Sequence, residues 1–241
     1  LTEEVHRRFG ERDGHWVLAV SSMWNGCDHC SIGHAFAGNL AHFEADGELF
    51  PVDERELGEL MYNLAKLKLP SLAVVQGAAY GGALGLISCC DMAIGADDAQ
   101  FCLSEVKIGL APAVISPFVT QAIGERHARR YALTAERFDG QRAREIGLLA
   151  ESYPAAELEQ QVEQWVSNLL LNSPQAMRVS KDLLRETAHG ELSPALRRYC
   201  ENTIARIRVS AEGQEGLRAF LQKREPAWRD AGPTPSGESQ S

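Results

Sequence analysis

One carboxylate, Glu105, stands in an otherwise apolar stretch, FCLSEVKIGLAP, that runs on through Gly109 to Pro112. Burial disfavours the charged form of a carboxyl group, so its pKa rises and it becomes suited to moving a proton near neutrality. Upstream, Pro70 opens a short β-type run, Leu72 to Val75, followed by Gly77, Gly81 and Gly82 and then a helix-like segment of small residues, Ala83 to Cys90. A strand that enters a Gly pair and then a helix leaves backbone N–H groups without intrahelical acceptors, at the end of the dipole that favours negative charge. That is the chemistry of an anion hole, with Gly82 as the candidate donor. Gly pairs also serve tight turns and close packing. Neither phosphate-loop pattern is present: there is no Gly-Lys-Ser/Thr, and no G-x-G-x-x-G opens a dinucleotide unit.

Other residues with chemical potential read more plainly. Glu105 itself could be held in a structural ion pair with Lys107 or an arginine. Cys27-Asp28-His29-Cys30 with His34 has the flavour of a zinc site, but a second ligand pair at matching spacing is missing, so the segment reads as a loop with reduced cysteines. No metal is expected. Arg126, His127, Arg129 and Arg130 form a solvated basic face on a helix; alternatively one of them meets an acidic substrate group or a phosphate. Asp91 reads as a turn-capping residue without a chemical role.

The elements that must position these groups alternate. Thr2 to Glu11 reads as a short polar helix, Trp16 to Val20 as a buried strand, and Ala45 to Pro51 as a loop. Asp53 opens an amphipathic helix to Leu67, with Glu56 as capping-box partner and Leu57, Leu60, Met61, Leu64 and Leu67 on one face. Strand-like runs at Leu72–Val75 and 91–95 follow, then a helix over Phe118 to Leu133, a short helix over Phe138 to Leu149 and a last strand over Leu148 to Tyr153. From Ala155 onward the pattern is helix only: Glu157 to Leu171, Pro174 to His189 and Ser193 to Arg224. The expected organisation is an α/β core over 1–153, a helical region over 154–229 and a disordered tail over 230–241.

The 241 residues suffice for one domain with a full core, with 44% hydrophobic and 24% charged residues, ordinary for a globular protein. A formal charge of −9 argues against nucleic acid, whose phosphates need a basic surface. Six cysteines, two adjacent at Cys89 and Cys90 in an apolar segment, do not look like a secreted disulfide framework and point to a reducing cytosol or mitochondrial matrix, with a cytoplasmic setting expected. No apolar run reaches the length of a membrane helix. The first residue is Leu, so a processed or partial start stays open.

The run GAAYGGALGLISCCDMAIGADDAQFCLSEVKIGLAP resembles the core signature of the crotonase family, the enoyl-CoA hydratases and isomerases. The run ISPFVTQAIGERHARRYALTAERFDGQRAREIGLL is similar, within that family, to the bacterial methylglutaconyl-CoA and isohexenylglutaconyl-CoA hydratase branch. The resemblance extends over roughly Leu69 to Trp228. It implies a spiral of β-β-α repeats, a helical C-terminal region that trimerises, an acyl-CoA substrate, and a homotrimer or dimer of trimers. Coenzyme A enters as part of the substrate, and no separate cofactor is implied.

By the same resemblance Glu105 is the catalytic carboxylate, and the N–H groups of Gly82 and Ala37 are the two donors to the thioester oxygen. Gly81, Ala35, Leu103 and Pro112 contact substrate, and Phe220 and Lys223 reach the adenine end of coenzyme A. Around Ala37 the chain departs from the family: a residue between Phe36 and Ala37 is missing, and Asn39 stands where a small residue and then Asp are usual. Two-carboxylate hydratases of the family carry a second Glu at the position of Gly85. Hydration of an enoyl thioester, with a branched or glutaconyl-type acyl part, is the expected reaction. A single-Glu double-bond isomerase and a non-catalytic acyl-CoA binder are the alternatives.

Overall fold

The computed structural model describes residues 54–229. The expectations for Thr2–Glu11, Trp16–Val20, the Cys27–His34 segment, Ala35, Ala37, the loop to Pro51 and the tail after Arg229 lie outside these residues. The described chain divides into two compact units, one of residues 54–67 and 71–162, the other of Lys68–Pro70 and residues 163–229.

The first unit starts with α1 (Glu54–Ala65), then β1 (Leu72–Val75), β2 (Ala78–Tyr80), α2 (Gly82–Cys89), β3 (Met92–Ala96) and β4 (Gln100–Cys102). A 3-10 turn (Glu105–Ile108), α3 (Ser116–Thr134), β5 (Phe138–Asp139), α4 (Gly140–Glu145), β6 (Glu151–Tyr153) and the start of α5 (Leu158–Leu170) complete it. The first four strands alternate between two sheets. β1, β3 and β6 form a parallel sheet in the order β1-β3-β6; β2 and β4 pair in parallel in a second sheet, with β5 antiparallel to β4. The two repeats β1-β2-α2 and β3-β4-α3 each add one strand to each sheet before the helix returns, and β5 and β6 extend the two sheets on either side of α4, which is the spiral that the resemblance implies. The register aligns Leu72 with Met92 and Ala79 with Phe101, so the strands advance together from one repeat to the next.

Strands buried on both faces need continuous apolar runs, and LAVV and MAIGA supply them. Met61, Leu84, Ile94, Phe101, Leu103, Tyr131 and Leu149 are fully buried between sheets and helices. Phe138 stacks on Phe101 with centroids 5.4 Å apart, and lies 4.2 Å from Tyr131, which fixes β5 against β4 and α3. Asp91 lies at the turn between α2 and β3 and holds the start of β1. Its Oδ2 accepts from the Ser71 N–H at 2.7 Å and the Ser71 hydroxyl at 3.0 Å, and the Asp91 N–H donates back to Ser71 Oγ at 2.9 Å.

Several boundaries differ from the sequence reading. β2 leaves no mark in that reading, because three residues between two glycines are too few for a periodic signal. The expected helix over Phe138–Leu149 is a two-residue strand followed by α4, because Asp139 accepts from the Arg142 N–H as an N-cap. The final strand begins only at Glu151. α3 is interrupted at Gly124, whose φ of 74° and ψ of 156° are not helical.

In the second unit α6 (Pro174–His189), α7 (Pro194–Arg208) and α8 (Ala211–Gln222) follow the rest of α5. The long helix expected over Ser193–Arg224 is two helices, since the Ser210 hydroxyl accepts from the Gly213 N–H and starts a new one. Glu212 on α8 accepts from the Ser173 hydroxyl at 2.5 Å and the Gln175 N–H at 2.9 Å, joining α8 to the start of α6. Many large apolar side chains of this unit are exposed, among them Leu184, Leu192, Ile204, Val209, Phe220 and Leu221.

Candidate active site

The β2–α2 junction is built around Gly81. Its φ of 55° and ψ of −124° lie where side-chain-bearing residues rarely go. The Gly81 N–H donates to the Cys102 carbonyl at 2.9 Å, and the Gly81 carbonyl accepts from the Leu84 N–H at 2.9 Å. Both polar groups of this residue are therefore occupied, and the chain is turned so that α2 begins at Gly82. Gly82 is buried. No backbone acceptor for its N–H is found among the described residues, as expected for a first-turn donor. A buried N–H at the positive end of a helix, without an acceptor among the described residues, is a donor for a developing oxyanion.

Glu105 lies against this junction. A Cβ placed on Gly81 would sit 3.4 Å from Glu105 Oε1 and 3.7 Å from its Cδ, ordinary contact distances, so the carboxyl group packs directly against the start of the helix. Glu105 opens the 3-10 turn and is half-buried, and its Oε2 is buried without a hydrogen-bond partner among the described residues. Burial pushes its pKa above the ordinary carboxylate range, with a smaller opposing influence from its own backbone N–H. Neither Lys107 nor any arginine of the described residues pairs with it, so the structural ion-pair alternative has no support here. An unpaired acid with a raised pKa beside an N–H donor has the attributes of a general base and acid.

One turn further along α2 the position of a possible second acid is closed. A Cβ on Gly85 would come within 2.4 Å of Ile115 Cγ2 and 2.6 Å of Met61 Cε. Ile115 and Met61 are themselves buried, at 3% and 0% exposure. The glycine is thus required by close packing, and the volume that a carboxylate would use is filled by hydrocarbon. Sequence reasoning finds the missing acid at Gly85 but not its replacement. Met61 reads only as part of a core stripe, and nothing in a single sequence marks Ile115 as its partner.

Ile115 also lines a cavity of about 360 Å³, together with Leu103, Pro112, Val119, Ala128 and Leu133. Both halves of α3 contribute to it. Leu103 and Pro112, the two expected substrate contacts in this region, therefore meet at one cavity that flanks the Glu105 turn. Glu105, Gly81 and Gly82 are not among its lining residues.

The remaining candidates are placed as follows. Lys107 and Arg126 are exposed, Arg129 pairs with Glu125 at 2.7 Å, and Arg130 pairs with Glu136 at 2.5 Å, so the basic stretch of α3 faces outward. Phe220, at 81% exposure, lies on α8 of the helical unit, and Lys223 caps that helix in a left-handed conformation. Cys102 donates its thiol to the Ala135 carbonyl at 3.3 Å and is pushed above the ordinary thiol range by burial. Burial, aided by Cys90, pushes the Cys89 thiol up to about 12. Neither thiol has the low pKa of a nucleophile. Among the described residues no cluster of His, Cys, Asp and Glu could hold a metal ion, and no helix is long and apolar enough to cross a membrane.

The profile of a family described as enoyl-CoA hydratase/isomerase matches residues 48–231. The chain is 35% identical over 129 residues to a hydroxycinnamoyl-CoA hydratase-lyase of Pseudomonas fluorescens, covering 53% of this chain and 47% of that protein. It is 27% identical over 201 residues to a 2,3-dehydroadipyl-CoA hydratase of Escherichia coli, covering 80% and 78% respectively. The chain thus spans about half the length of the first relative and most of the second. Among solved structures, an enoyl-CoA hydratase from Shewanella pealeana superimposes with a TM-score of 0.70 at 49% identity, over 80% of this chain and 68% of that one.

Proposed function

From its membership of the enoyl-CoA hydratase/isomerase family, to which this chain belongs, we propose that it adds water across the conjugated double bond of an enoyl-CoA thioester. The observation that carries this reading is the Glu105 carboxyl group, raised in pKa and with no partner for its Oε2 among the described residues, packed against Gly81 next to Gly82, whose N–H has no acceptor among the described residues. The thioester oxygen accepts from Gly82 N–H, and the resemblance puts Ala37 N–H as the second donor. Glu105 takes a proton from water while the water oxygen attacks Cβ. Charge collects on the thioester oxygen as an enolate, and Glu105 then returns the proton to Cα. Donors fixed before the reaction stabilise the enolate more than the neutral thioester, and losing one such donor costs about 10²–10³ in rate.

A branched or glutaconyl-type acyl group, as in the methylglutaconyl-CoA and isohexenylglutaconyl-CoA branch, is the proposed substrate class. Its support is the similarity of the stretch after Pro112. No cofactor is needed by this chemistry beyond the coenzyme A that the substrate carries. Phe220 and Lys223 are proposed to meet its adenine end, with Gly81, Ala35, Leu103 and Pro112 nearer the acyl group. A homotrimer or dimer of trimers is proposed from the family resemblance, and the exposed apolar side chains of the helical unit supply surface for association. The six cysteines, two of them adjacent in an apolar segment rather than spaced as a disulfide framework, support a reducing, cytoplasmic setting.

A second reading, double-bond isomerisation, is favoured by the apolar packing at Gly85, because one base suffices to move one proton between carbons. Product mass separates the two. Incubation with crotonyl-CoA and a branched glutaconyl-CoA, followed by mass spectrometry, should give a product heavier by one water. An unchanged mass with a shifted double bond would favour isomerisation, and binding without turnover would make the protein an acyl-CoA binder.

A further inference from the structure

The cavity beside the Glu105 turn is apolar along most of its wall, yet one ion pair lies in its lining. Glu125 and Arg129 both line it, on the face of α3 that also presents Ala128, Ala132 and Leu133 at helical spacing. Arg129 Nη2 meets Glu125 Oε1 at 2.7 Å, with 73% and 68% of the two side chains exposed. An exposed pair of this kind contributes little to stability. A carboxylate from another molecule can therefore replace Glu125 on the guanidinium at little cost, and Arg presents a fork suited to it. The other wall, Leu103, Pro112 and Ile115, leads back to the residues flanking Glu105 and to the helix that begins at Gly82.

Resting on the enoyl-CoA reading above, we propose that this cavity takes the distal part of an acyl chain ending in a second carboxylate, and that Arg129 binds that carboxylate by displacing Glu125. The apolar wall holds the methylene or branched portion. A volume of about 360 Å³ lies at the small end of ligand pockets and limits the chain to a modest length. Arg129 is then a specificity-determining residue. Its neighbour Arg130 cannot take the same part, because it pairs with Glu136 and does not line the cavity.

The test uses two saturated, unreactive thioesters of equal chain length, adipyl-CoA and hexanoyl-CoA, with calorimetric Kd measured for the full chain. The parent protein should prefer adipyl-CoA about three- to tenfold. Arg129→Gln should abolish the preference while leaving hexanoyl-CoA within about twofold, Arg129→Lys should keep part of it, and Glu125→Gln should tighten adipyl-CoA alone. If Arg129→Gln weakens both ligands alike, or leaves the preference intact, the carboxylate assignment fails while the enoyl-CoA reading stands. If the parent binds neither thioester, the enoyl-CoA reading fails and takes this inference with it.

Discussion

Glu105 must be deprotonated to accept a proton from water, although its surroundings favour the neutral form. The raised pKa is the result, and it has two measurable consequences. The first is kinetic: kcat/KM should rise with pH and level off above a pKa that lies higher than the ordinary carboxylate range. A pH profile whose acid limb falls within the ordinary range would contradict this. The second concerns stability. A carboxyl group whose folded pKa exceeds its unfolded pKa binds protons more readily in the folded state, so its stabilising contribution is present at low pH and lost as pH rises through the folded value. Glu105→Gln should therefore raise Tm at neutral pH, and the gain should vanish below the unfolded pKa. Thermal unfolding at the two pH values checks this, and an equal shift at both would show that the buried charge costs the fold nothing.

At the scale of elements, α2 is held by two contacts of different kinds. Gly85 lets Ile115 and Met61 close on the helix, so Gly85→Ala should cost about 1–3 kcal/mol by overpacking in denaturant unfolding, and an unchanged midpoint would deny the packing role. Asp91 holds the fully buried Ser71 at the start of β1. Asp91→Ala should cost about 1–3 kcal/mol by leaving the Ser71 N–H without its acceptor, and a neutral result would deny the clamp a role. Much of this is legible in the sequence. LAVV and MAIGA are long enough apolar runs to mark β1 and β3, and the Gly81-Gly82 pair marks the start of α2. The sheet exchange of β2 is not legible, since AAY carries no period, and the break at Gly124 is hidden because a lone glycine is tolerated in helices. The Asp91–Ser71 pair and the Ile115–Met61–Gly85 contact join residues far apart in the chain, and local pattern carries no information on such contacts.

For the whole molecule, both units leave large apolar side chains exposed. The α/β unit, which holds the half-buried Glu105 and the buried Gly82, exposes Leu60, Tyr62, Ile108, Leu110 and Leu133, and the helical unit exposes Leu184, Leu192, Ile204, Val209, Phe220 and Leu221. Apolar surface of that extent is ordinarily covered by association, and the proposed trimer or hexamer should appear in sedimentation analysis as a mass three or six times that of the chain. A monomer at micromolar concentration would remove that proposal without touching the chemistry. The chemistry depends on one carboxylate relaying a proton beside a main-chain donor. Its most direct test is the rate at which conjugated thioester absorbance is lost from crotonyl-CoA with the parent protein and with Glu105→Gln. The expected result is a fall in kcat of about 10²–10⁴ with substrate affinity little changed; turnover by Glu105→Gln within a few-fold of the parent would contradict the assignment.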